Sequence, residues 1–152
     1  MKELREELKQ NRPFRSAEQE ALLALQRTAA VFDHAFSEAM KPWGITPTQY
    51  NVLRILRGAG DKGLCRHEIG DRMVTRVPDV TRLLDRMEAA GLIERQRDPE
   101  DRRQVRTRIT AAGLDLLARL DEPVQESERE ALGHMSPTDI RELTRLLAVA
   151  RS

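Results

Sequence analysis

Around residue 92 the apolar pattern of this chain changes period. Upstream, apolar residues return every three or four positions; in "LIERQRD" and "VRTRIT" they alternate with charged ones. The first spacing turns one face of a helix inward, the second one face of a strand. Between the alternating runs lies "PEDRR", a turn, so residues 92–110 read as a single β-hairpin set among helices. Val105, Thr107 and Ile109 share one of its faces, Arg106 and Arg108 the other. The expected fold class is mainly α with this one small hairpin.

The helical segments carry their own boundary signals. "SAEQEALLALQRTAAVFDHAFSEAMKPWG" opens on Ser16 and Gln19, a capping box. It places Leu22, Leu25, Ala29, Phe32, Phe36 and Met40 on one stripe and ends at Pro42 and Gly44. A short helix is expected before it, broken off at Arg12 and Pro13. "TPTQYNVLRILRGAG" repeats the logic: Thr46 caps, Pro47 takes the first turn and Gln49 closes the box. Gly58, Gly60 and Gly63 are expected to form the turn that follows. "LCRHEIGDRM" is a short third helix with Cys65 at the cap position, and Gly70 inside it suits close approach by another element. "TRVPDVTRLLDRMEAAG" is expected to start at Thr75, to hold Pro78 in its first turn and to stop at Gly91. Its Val80, Leu83, Leu84 and Met87 point inward; Arg76, Asp79, Arg82 and Arg86 point outward. After the hairpin come a long helix with a kink expected at Pro123 and a last helix capped by Ser136, with Pro137 and Asp139 in its first turn.

Charge is distributed unevenly. Residues 1–53 hold 7 Lys/Arg and 7 Asp/Glu, residues 54–110 hold 14 and 10, and residues 111–152 hold 5 and 8, adding to the 26 and 25 of the whole chain. A basic middle between neutral and acidic ends suits a nucleic-acid surface carried by other segments, or an ordinary solvated face. No apolar run reaches the length of a membrane span, the N-terminus lacks the apolar centre of a secretory signal, and a lone cysteine allows no internal disulfide; a cytoplasmic location is expected. No nucleophile–base pair, phosphate-binding glycine loop or spaced metal-ligand set stands out. No enzyme activity, cofactor or metal is expected.

Two short helices followed by a hairpin make a winged helix-turn-helix. In that arrangement the helix from Thr75 enters a major groove by its first residues and the hairpin follows the adjacent backbone or minor groove. Arg82 is the expected base reader, with Pro78, Asp79 and Thr81 shaping or adding polar contacts and Arg76 and Arg86 touching phosphates. The alternative for Arg82 is pairing with an acid of its own surface.

The runs "GITPTQYNVLRIL" and "VPDVTRLLDRMEAAGLIERQRDPEDRRQVRTRITAAG", with the flanking helices, resemble the MarR (multiple antibiotic resistance regulator) family over roughly residues 16–150. The resemblance implies one domain over 1–152. Residues 45–110 would form the winged helix-turn-helix, and 14–44 and 111–152 the dimerisation helices. It implies a homodimeric regulator, a repressor, binding double-stranded DNA at a pseudo-palindrome, with two recognition helices about 34 Å apart. Arg103 is similar to the family arginine that enters the minor groove, and Asp101 to the acid that orients it. Arg102, Arg106 and Arg108 would add phosphate contacts, with a solvated strand face as the alternative for the last two. A small aromatic or anionic ligand is implied between the dimer helices and the winged region, where His34, Trp43 and Tyr50 are the nearest candidates. Oxidant-sensing relatives carry a cysteine near the start of the first long helix, and this chain has none there. Cys65 is then either a sensor with a lowered pKa or a buried replacement for Ser or Thr. The alternative function is a winged-helix module acting through protein partners.

Overall fold

The computed structural model describes residues 3–152. Its helices are α1 (Leu4–Glu7), α2 (Ala17–Met40), α3 (Pro47–Ala59), α4 (Arg66–Arg72), α5 (Val80–Ala89), α6 (Ala111–Leu132) and α7 (Pro137–Val149). Strands β1 (Ile93–Arg97) and β2 (Val105–Ile109) pair antiparallel between α5 and α6, with Ile93 opposite Ile109 and Arg97 opposite Val105. The mainly helical reading with one hairpin is the observed architecture, a winged helix.

Local chemistry sets most of the boundaries. Ser16 Oγ accepts the Gln19 N–H at 3.2 Å, while Gln19 Oε1 accepts from Arg15 N, one residue outside the expected box. Thr46 and Gln49 form the complete reciprocal pair at 3.2 and 3.0 Å. A 3-10 turn at Lys41–Trp43 closes α2, and Gly44 follows it at φ +66°. Gly58, expected in a turn, lies inside α3; the turn is the 3-10 stretch Gly60–Lys62. Pro123 does not end α6, which runs on to Leu132.

Helix α5 starts later than the sequence suggests. Asp79, not Thr75, is its N-cap: the Asp79 carboxylate accepts the Arg82 N–H at 2.9 Å, and α5 begins at Val80. Arg76 and Pro78 therefore precede the helix. Proline biases the residue before it away from helical angles, so Val77 cannot easily continue a helix begun at Thr75. Asp is among the strongest N-caps, worth about 1 kcal/mol.

One core joins the parts. Met40 of α2, Leu53 and Leu56 of α3, Ile69 of α4, Leu84 and Met87 of α5, Ile93 of β1 and Leu117 and Leu120 of α6 are all essentially inaccessible and belong to one cluster. Each such side chain contributes roughly 1.5–3 kcal/mol on burial. The hairpin gains a third partner: Leu64 exchanges backbone hydrogen bonds with Thr107 at 3.0 and 2.8 Å. A side chain at Gly63 has no room there, since its Cβ would lie 2.6 Å from the Thr107 carbonyl oxygen. Gly70 stands against Val80 of α5, yet an added Cβ would sit at an ordinary 3.6 Å.

The chain's two ends pack differently from the middle. No residue of α7 is buried. Leu22 and Leu25, on the apolar stripe of α2, are 61% and 45% exposed; Leu146 and Val149 on α7 are 49% and 59% exposed. The apolar stripes of the terminal helices are real, but this chain alone does not cover them.

Candidate nucleic-acid interface

Two sets stand out among the middle segment's arginines. Arg82 and Arg86 on α5, Arg76 before it, and Arg102 and Arg103 at the hairpin turn are all exposed. Among the described residues their guanidinium groups meet no acid and no acceptor within the chain; the bonds at Arg82 and Arg103 use backbone N–H groups. Arg82 is thus not paired with an acid of its own surface. Thr81, in the first turn of α5, sits 3.5 Å from the Arg66 guanidinium.

The second group is committed internally. Arg106, expected at phosphate, is held by Asp98 at 2.9 Å and Glu68 at 3.4 Å and is only 20% exposed. Arg108 donates to the Asp61 carbonyl and to Gln96. Both stitch the hairpin to the α3–α4 side, because a strand residue facing away from the core here faces a neighbouring loop and not open solvent. The Arg106 hydrogen bond is the chief reason the Asp98 carboxyl is held below the usual carboxylate range.

Asp101 also acts differently from the expected brace. Its carboxylate accepts the Arg103 backbone N–H at 3.1 Å and the Gln104 amide at 3.3 Å, so it shapes the turn rather than gripping the Arg103 guanidinium. Asp98 does the same one step earlier, accepting from Glu100 N at 2.9 Å. These are Asx-type turns, in which a short acid replaces a backbone acceptor. The Arg103 side chain lines a crevice of about 410 Å³ between the hairpin and the helices, with Arg66, His67, Thr81 and Arg95.

Arg95 is a residue the sequence reading passed over. From β1 it reaches back to α5, its Nη2 lying 2.6 Å from Glu88 Oε2 and 2.6 Å from Asp85 Oδ1. Its Nε adds a 3.0 Å bond to Glu88, and its backbone N–H a fourth at 3.0 Å. The Glu88 carboxyl is lowered chiefly by this hydrogen bonding, and the Arg95 guanidinium is raised by it. Two acids three residues apart on a helix, followed by an arginine in the middle of the next strand, was the available signal.

The remaining candidates lie apart. Cys65 caps α4, with its thiol 2.9 Å from Glu68 Oε2 and 3.3 Å from His67 Nδ1. Burial pushes the thiol pKa up and the Glu68 hydrogen bond adds to this, opposite to an activated sensor. Tyr50 is buried, accepts from Arg54 at 2.9 Å and meets Phe36 edge-on at 5.7 Å. It lines a cavity of about 250 Å³ with Asp33, Phe36, Asn51 and Val74. His34 and Trp43 do not line this cavity: both are exposed, His34 on α2 and Trp43 in the turn after it. Among the described residues no three His, Cys, Asp or Glu side chains gather as a metal site.

Comparison with known proteins places this geometry. The model of the MarR family matches residues 45–105. A MarR transcription factor from Planctomyces limnophilus, of known crystal structure, is 39% identical, covers 90% of this chain and 99% of its own, and superposes with a TM-score of 0.69. The HTH-type transcriptional repressor IacR of Pseudomonas putida is 25% identical over 125 residues, 82% of this chain and 74% of its own. The S. aureus MepR–DNA complex shares the fold, with a TM-score of 0.76 at 21% identity over 84% of this chain and 93% of that one. By sequence, fold and the exposed arginines of its winged helix, the chain belongs to the MarR family and is a DNA-binding transcriptional regulator.

Proposed function

We propose that this regulator binds a pseudo-palindromic duplex as a homodimer and represses transcription from it. Residues 45–110 hold the DNA: α5 enters the major groove and the hairpin turn reaches the neighbouring minor groove. The observation that carries this reading is the division of the arginines. Those on the exposed face of α5 and at the hairpin turn are unpaired, while Arg95, Arg106 and Arg108 of the hairpin strands are engaged by the fold. Arg82 supplies base discrimination, worth about 1–3 kcal/mol for a bidentate guanine contact. Arg103 enters the minor groove, Arg102 and Arg86 meet phosphate, and Arg76, Pro78, Asp79 and Thr81 frame the entry of α5. Arg106 and Arg108 act through the shape of the hairpin.

Residues 14–44 and 111–152 form the dimer interface. The exposed Leu22, Leu25, Leu146 and Val149 need a cover, and a second copy supplies one with two-fold symmetry. The repressor sign follows the name of the Pseudomonas relative. The cavity beside Tyr50 is walled on one side by Val74 and Thr75, which lead into α5. A monocyclic aromatic or anionic ligand fits its size and would displace that segment, releasing the DNA.

Selection of duplexes from a random pool tests the DNA reading. Arg82→Ala is expected to relax preference at one position per half-site, whereas Arg103→Ala lowers affinity across sequences. If both variants keep full affinity and preference at moderate salt, the reading fails. For the ligand, monocyclic aromatic carboxylates should release the selected duplex from the unchanged protein and not from Tyr50→Trp, which fills the cavity.

A further inference from the structure

We propose that Arg95 is a positioning residue for DNA binding: through Glu88 and Asp85 it locks the hairpin to the recognition helix and so sets the spacing between the two groups of DNA-reaching arginines. This deepens the DNA-binding reading and rests on it. The hairpin leaves α5 through the short Ala90–Leu92 turn, and its tip, with Arg102 and Arg103, lies at its far end. A two-stranded hairpin is weakly held by its own pairing. Its β2 side is tied to Leu64, Asp61 and Glu68, and its β1 side is tied to α5 by Arg95. The Arg95 fork makes four hydrogen bonds to two α5 carboxylates at 2.6–3.0 Å, counting its backbone N–H. Arginine suits this task where lysine does not, because its planar group binds two acceptors in fixed directions.

The contact has a second consequence on the same face. Asp85 is three residues from Arg82, within reach of it along the helix surface. With Asp85 engaged by Arg95 at 2.6 Å, Arg82 stays unpaired. Arg95 thus both aims the hairpin and keeps a neighbouring acid from capturing the base-reading arginine.

Simple electrostatics and positioning predict opposite signs for one substitution. Glu88→Gln removes a negative charge beside the DNA surface, which by charge alone raises affinity for a polyanion. If Glu88 acts by holding Arg95, the same change lowers it. The experiment measures equilibrium affinity, and its salt slope, for a duplex selected by the unchanged protein. The variants are Glu88→Gln, Arg95→Gln, Arg95→Lys, Arg103→Ala and the Glu88→Gln/Arg103→Ala double. Glu88→Gln and Arg95→Gln are each expected to weaken binding about tenfold, the scale of one lost charge-assisted contact. Arg95→Lys should not restore it. The base preference owed to Arg82 should survive Glu88→Gln, which general unfolding would not allow. In the double variant, Glu88→Gln should cost little once Arg103 is gone, since both act through the hairpin. Affinity of Glu88→Gln equal to or above that of the unchanged protein, or fully additive costs in the double variant, overturns the proposal. Absence of salt-dependent duplex binding by the unchanged protein overturns the DNA reading itself, and so is told apart.

Discussion

Gly113 provides a quantitative test of how tightly the hairpin is built into the helical frame. It lies in the first turn of α6, where Thr110 caps the helix by accepting the Gly113 N–H at 3.1 Å. A Cβ added there would sit 2.4 Å from the Leu92 carbonyl oxygen and 2.7 Å from Ile109 Cγ1. That carbonyl cannot yield easily, because it accepts the Thr110 N–H at 3.1 Å while the Thr110 hydroxyl donates to Gly91 O at 2.6 Å. Relief requires α6 and the hairpin to part by about 1 Å, and overpacking of this kind costs roughly 1–3 kcal/mol. Replacing glycine by alanine inside a helix returns at most about 1 kcal/mol. With the full offset, Gly113→Ala is therefore expected to lose a net ~0–2 kcal/mol, a Tm lower by up to roughly 8 °C for a chain of this size. Gly70→Ala is the control, since its Cβ would meet only Val80 Cγ2 at 3.6 Å. It should gain about 0.5–1 kcal/mol. Thermal unfolding followed by circular dichroism, at one fixed protein concentration, reads both. If Gly113→Ala matches or exceeds Gly70→Ala in stability, the argument from close approach is wrong.

Other expectations follow from single contacts. Asp79→Ala removes the cap of α5 and should cost about 1 kcal/mol of stability; Asp79→Asn, which keeps an acceptor, should restore most of it. The pH dependence has two limbs. Glu88 and Asp98 are lowered from ordinary values of 4.5 and 3.8, chiefly by hydrogen bonds from Arg95 and Arg106. Their stabilisation is complete above those values and is lost as pH falls through the lower folded ones. Cys65 is raised from 9.0, first by burial, so its contribution is complete below that value and is lost as pH rises through the folded one. Denaturant midpoints taken across pH should show both limbs, with the acid one weakened in Glu88→Gln and the alkaline one in Cys65→Ala. Finally, Leu146→Glu places a charge on the uncovered stripe of α7 and should shift the protein from dimer to monomer in analytical ultracentrifugation, with duplex affinity falling in step.

Much of the frame was readable from short stretches of sequence because its determinants are local. The period change around residue 92 marks the hairpin, and the pairs Thr46/Gln49 and Ser136/Asp139 mark helix starts by bonds spanning three residues. The start of α5 is equally local: Pro78 followed by Asp79 is a stop and a cap, and it outweighs Thr75. The candidate site was legible as a density of arginine, with Arg82 distinguished from its neighbours by its place on a helix and Arg103 only by the family resemblance.

Which arginines are free was decided by the tertiary structure. Arg95 meets an acid seven residues back and Arg106 one 38 residues back, and no period or cap signal carries information over such separations. The same holds for Asp101, whose carboxylate serves backbone and amide N–H groups in its own turn. The sequence by itself determined the elements and their order, since hydrogen bonds to near neighbours and one-sided apolar faces are properties of short segments. The fold determined which charges are spent on holding the hairpin and which remain for a partner, since an ion pair forms only where packing brings its two ends together.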